Sequence, residues 1–217
     1  MSQITVYIFS FSILIATVIG WVRFKKIDPA YYPFLYILTI GSLNEVASVV
    51  LISTKHHSAV NNNIYAFFEP LFLFWFFKNL GIFKRANYLF VALVVIVPLI
   101  WFIENFFIVT ITQFTFYYRI FYSFVIVLIS IHTINALIMT ERKNLIKNSI
   151  FLLCVGFVIY YTFSVLVQAF WLYGLNVSRD FTIKVIAILL FINLFANLIY
   201  ALAVLWMPTR HRFTLPY

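Results

Sequence analysis

Seven apolar stretches, at about 4–22, 31–53, 64–81, 87–104, 115–138, 149–173 and 181–207, take up most of this 217-residue chain. A helix needs about 20 such residues to cross a bilayer, and in lipid it satisfies its own backbone polar groups. Charged residues make up only 10% of the sequence, whereas a water-soluble domain carries about 25%. So little charge cannot cover a surface in water, which leaves the bilayer as the solvent. The connections are short, so sequence neighbours should pack antiparallel, with no room for a soluble domain. The expected architecture is all-α: one domain over residues 1–217, a single bundle of seven transmembrane helices.

Loop charge orients this bundle. Arg23, Lys25 and Lys26 follow the first stretch, Lys78, Lys84 and Arg85 the third, Arg142, Lys143 and Lys147 the fifth, and Arg210 and Arg212 the last. The opposite connections hold only Lys55 and Arg179, with Arg119 and Lys184 just inside helix starts. Cytoplasmic loops collect Lys and Arg, so the pattern predicts the N-terminus outside and the C-terminus inside. The first stretch lacks a basic leader and a small-residue cleavage site, and reads as an uncleaved span. Trp21, Trp75 and Trp206 near one face, and Trp101 and Trp171 near the other, match interfacial belts.

Several function classes drop out. The net charge of +9 is spread over short loops rather than gathered on one face, so it does not indicate nucleic acid. The lone Cys154 permits no intrachain disulfide, and no Cys/His cluster suggests a metal. No phosphate loop, HExxH or nucleophile–base series is present, and no cofactor is implied. Asp180-Phe-Thr-Ile-Lys184 has the spacing of a retinal-binding helix. However, Lys184 sits at the helix entrance and points away from the polar stripe, so snorkelling explains it better. Heptahelical lipid hydrolases of similar size use several His and Asp near a membrane face; this chain has no intramembrane Asp and one intramembrane His, His132, off the polar stripe of its helix.

What remains is two carboxylates. Glu45 and Glu69 fall inside the second and third stretches, at similar depth on adjacent helices. A carboxylate in hydrocarbon is costly and marks a pairing or functional site. At 100° per residue, Gly41, Asn44, Glu45 and Ser48 share a face, as do Asn62, Tyr65 and Glu69. Pro70 frees a backbone carbonyl near Ala66 and favours a kink. Arg119, Tyr122, Ser123, Ser130 and Thr133 form a stripe on the fifth segment, and Cys154, Tyr161, Ser164 and Gln168 one on the sixth. The seventh carries Asn193, Asn197 and Tyr200, read as interhelical hydrogen-bonding glue. These stripes predict a polar core, widest toward the outer side. The candidate ligand-binding set is Glu45, Glu69, Arg119, Asn44, Tyr65, Tyr122 and Gln168. Arg119 can pair with one or both carboxylates, either as a structural ion network or as part of a binding site.

Several of these residues recur in a resemblance. The run Asn61-Asn-Asn-Ile-Tyr65-Ala-Phe-Phe-Glu69, the Tyr118-Arg119 pair, Gly156-Phe-Val-Ile-Tyr160, and Asn193-x-x-x-Asn197-x-x-Tyr200-Ala with Trp206 resemble a family of small, functionally uncharacterised seven-span membrane proteins of Bacteroidota. The resemblance covers most of the chain and implies the fold and an inner-membrane address. It implies no activity. This chain lacks the second carboxylate that some relatives carry after Arg119.

The resulting expectation is an inner-membrane protein with a polar pocket in the outer half. It would serve as a small-molecule or lipid sensor, or as the membrane partner of another protein through its basic cytoplasmic loops. A transporter using Glu45 and Glu69, or an enzyme acting on lipid headgroups, are the alternatives. No catalytic set favours an enzyme.

Overall fold

The computed structural model describes residues 3–54, 58–140, 145–173 and 179–209. Lys55, Arg142, Lys143, Arg210 and Arg212, which carry part of the orientation argument, lie outside them. The described chain is helical: α1 (Gln3–Ser10), α2 (Ile13–Arg23), α3 (Tyr32–Ser53), α4 (Ala59–Asn79), α5 (Asn87–Ile103), α6 (Tyr117–Thr140), α7 (Ser149–Leu172) and α8 (Arg179–Trp206). A single π-turn, Glu104–Ile108, extends α5. The one β contact among the described residues is an isolated bridge between Ile27 and Thr209.

Five of these segments are long and apolar enough to cross a membrane: 29–53, 87–108, 117–139, 149–172 and 187–206. The apolar run 7–23 is shorter, and α4 is made more polar by Asn61, Asn62, Asn63, Glu69 and Lys78. Rows of exposed apolar side chains suit these helices to a lipid surrounding. Val91, Val95 and Leu99 line one face of α5, and Phe191, Phe195, Leu198 and Leu202 one face of α8. Patches of this kind are rare on soluble monomers.

Helices α2, α3, α4, α6, α7 and α8 pack in that order into a closed ring, α8 returning to α2. Helix α5 lies outside it, against α4 and α6, and Val97 is its one buried residue. The centre is aromatic: Phe34, Phe76, Phe77 and Phe157 are almost fully buried and in mutual edge or tilted contact. Gly156 lets the Tyr200 ring approach until a Cβ would lie 2.6 Å from it, which seats α8 tightly on α7.

Charged side chains tie the helix ends. Glu104 accepts the backbone N–H groups of Phe116 (2.8 Å), Tyr117 (3.1 Å) and Tyr118 (2.5 Å). It thereby satisfies the free donors at the start of α6, where a helix terminus favours negative charge. At the other end of the bundle, Arg23 donates to the carbonyls of Val204, Leu205 and Met207 at the end of α8. There too the Ser149 hydroxyl donates to Tyr31.

The first stretch, expected as one span, is broken at Phe11–Ser12. The break has no proline or glycine. Ser12 donates from its hydroxyl to the Phe9 carbonyl at 2.6 Å and accepts from Asn197 Nδ2 at 2.8 Å. Its side chain therefore competes for backbone groups that an unbroken helix would use. Helix α4 also starts at Ala59, five residues before the expected 64, because its asparagines are satisfied by tertiary bonds rather than by a loop.

Candidate functional site

Glu69 is buried, 6% exposed, and held by three phenols. Tyr65, one turn earlier on α4, donates to Oε1 at 3.0 Å, Tyr161 of α7 to the same oxygen at 2.9 Å, and Tyr122 of α6 to Oε2 at 2.6 Å. A carboxylate offers about four lone-pair sites, and hydrogen bonds to it are stronger than neutral ones. Three are taken, and three helices are joined through one side chain. Next to it, Pro70 leaves the Ala66 carbonyl without its helical amide, and the Tyr118 hydroxyl fills that place at 3.0 Å. The carbonyl expected to be freed is thus supplied from α6.

Glu45 faces the same space from α3. It lines a cavity of about 100 Å³ together with Glu69. Ser10 and Ile13, on either side of the break in the first stretch, close one side, and Asn193, Asn197 and Tyr200 of α8 another. Phe34, Phe157 and Tyr160 give it aromatic walls, and among the described residues no lysine or arginine lines it. Glu45 is only partly buried, with Ser10 beside it and no clamp of the kind that holds Glu69. Tyr200 is 8% exposed and its hydroxyl has no hydrogen-bond partner among the described residues.

Arg119 and Gln168 separate from this centre, while Asn44, Asn193 and Asn197 touch it. Arg119 does not stand between the carboxylates. It makes no ion pair among the described residues; Nη2 donates to the Asn62 carbonyl at 2.9 Å, and Nε is buried without a partner. The reason is height. Tyr122, three residues further along α6, reaches Glu69, which puts Arg119 about 4.5 Å nearer the helix end, beside the first turn of α4. Asn44 belongs to an amide network at that level, donating to Asn62 Oδ1 at 3.1 Å and accepting from Asn61 Nδ2 at 2.8 Å. It also touches the cavity. Gln168, two turns beyond Tyr161, does not line it. Asn193 and Asn197 do both jobs, lining the cavity and joining α8 to Ser12.

Three groups lie outside the candidate ligand-binding set. Tyr161 belongs to the polar stripe of its segment, and the phase of α7 points it at Glu69. Glu104 was an acidic residue at the end of an apolar stretch, the composition of a helix-terminus cap. Asn63 is fully buried and donates to the Ile111 and Gln113 carbonyls at 3.0 and 2.6 Å, pinning the connection between α5 and α6; a third asparagine in a row gave no means of telling it from its neighbours. Comparison with protein-family models, with curated proteins and with solved structures gives no match, so the case for a function rests on the chemistry of this cavity.

Proposed function

We propose that the chain is a seven-span membrane protein, N-terminus outside, that binds a small solute in the Glu45–Glu69 cavity and acts as a sensor or as the membrane partner of another protein. An inner-membrane address and membership of the Bacteroidota family belong to the same proposal. One observation carries it. Of two carboxylates on one cavity, Glu69 is held by three hydroxyl donors and Glu45 is not. A purely structural ion network would give Glu45 a cation, and among the described residues no lysine or arginine reaches the cavity wall. An intramembrane carboxylate with no cation opposite it is a functional-site candidate by default. Any output would pass to the cytoplasmic loops, whose lysines and arginines suit an acidic partner.

The test is a thermal-shift screen of small solutes on the purified protein in detergent. Solutes that raise the melting temperature of the wild type should fail to do so with Glu45→Gln. Equal shifts in both proteins would reject the site.

A carrier is the second reading, favoured by the broken first helix beside Glu45, since discontinuous helices frame substrate sites in transporters. It predicts solute flux in proteoliposomes that Glu45→Gln abolishes. Binding without flux would leave the sensor reading standing alone.

A further inference from the structure

We propose that the cavity's ligand is a small organic ammonium ion, with its charged head on Glu45 and its carbon atoms against the aromatic wall. This rests on the solute-binding reading above and names its chemical class.

Charge decides the sign. Two carboxylates line the cavity, and Arg119 is bonded to the Asn62 carbonyl instead. An anion would meet repulsion from both glutamates. A neutral apolar solute would leave Glu45 uncovered in a low-dielectric space. The ligand that completes the site is a cation.

The identity of the cation follows from groups other than the carboxylates. Tyr200 is more than nine-tenths buried, lines the cavity, and carries a hydroxyl with no hydrogen-bond partner among the described residues. That oxygen can accept an N–H, and so can the remaining lone-pair site of Glu69. Phe34, Phe157 and Tyr160 surround these acceptors with ring surface, which favours a weakly hydrated organic cation. A divalent metal asks for six or more oxygen ligands, or for a shell of retained water that rings cannot bind. The volume of about 100 Å³ compares with the ~30 Å³ share of one water molecule in the liquid, so the head group has only a few heavy atoms.

The experiment uses the purified full-length protein in detergent micelles and isothermal titration with n-propylammonium chloride. Sodium chloride at equal ionic strength and 1-propanol, the neutral analogue, are the controls. Saturable binding of propylammonium alone is expected. Glu45→Gln should weaken it at least tenfold. Tyr200→Phe should weaken it several-fold with an unchanged melting temperature, because the lost hydroxyl has no hydrogen-bond partner among the described residues. Tyr200→Phe also keeps the test decisive should Glu45→Gln fold poorly. If propanol binds as well as propylammonium, the cavity reading holds and the ammonium class is wrong. If sodium chloride gives the same heat, the site is one for inorganic cations. If none of the three binds, both the class and the solute-binding reading fall.

Discussion

Glu45 and Glu69 are the same residue type, on one cavity, with opposite energetic roles. Glu69 accepts three phenolic hydrogen bonds, and a bond to a charged group contributes about 1.5–3 kcal/mol. Glu69→Gln keeps one acceptor oxygen but turns an amide donor toward the hydroxyls. It should destabilise the fold by about 2–4 kcal/mol, less than three full bonds because phenols can rotate. Glu45→Gln removes an uncompensated charge and should change stability by less than about 1 kcal/mol. Reversible unfolding in mixed micelles checks the pair; equal losses would mean that Glu45 also holds the structure together. At this scale helical phase was a good guide. Tyr65 and Glu69 are one turn apart, and Tyr161 was already on an inward stripe. The partner of Arg119 was not readable. Sequence shows the positions of charged side chains, but Arg119 is bonded to a backbone carbonyl, and every residue carries one of those.

At the scale of elements, Pro70 and Tyr118 form one device. Proline takes an amide out of α4, and a hydroxyl from α6 restores the bond to Ala66. Tyr118→Phe therefore leaves a buried carbonyl unsatisfied and should cost about 1–3 kcal/mol. In a Pro70→Ala background the new amide serves that carbonyl, and the same Tyr118→Phe change should cost about 1 kcal/mol less. A double-mutant cycle with no coupling would show that the hydroxyl and the proline are unrelated. Glu104 works on the next helix start. Glu104→Ala strands three amides, with an expected loss of about 1–3 kcal/mol, and hydrogen exchange should quicken at Phe116, Tyr117 and Tyr118 before the middle of α6. The helices themselves were legible from their apolar lengths. The break at Phe11–Ser12 was not. No helix-breaking residue marks it, and Asn197, whose amide holds the Ser12 hydroxyl, is 185 residues away in sequence. Long-range partners of this kind decide where an apolar run stops being one helix.

At the scale of the whole molecule the open question is which segments cross. Helix α4 is the least apolar, yet its polar residues turn inward: Asn63 and Glu69 are buried, while Ile64, Phe68 and Trp75 are exposed. A helix that keeps its mid-helix polar groups inside the bundle can cross despite a low mean hydropathy, because lipid meets only its other face. The seven-span proposal requires α4 to cross, and that crossing sets the side of every later loop. The chain is suited to the measurement, since its only cysteine, Cys154, is fully buried. Single substitutions Lys26→Cys, Thr54→Cys, Lys84→Cys, Gln113→Cys, Lys147→Cys and Tyr173→Cys fall at exposed positions between successive helices. In intact cells whose outer membrane has been made permeable, an impermeant maleimide should label positions 54, 113 and 173. Positions 26, 84 and 147 should react only after lysis. The reverse pattern would invert the orientation. Labelling of 54 and 84 from the same side would mean that α4 does not cross. Glu69 would then lie outside the hydrocarbon, and the argument for a costly intramembrane carboxylate would rest on Glu45 alone.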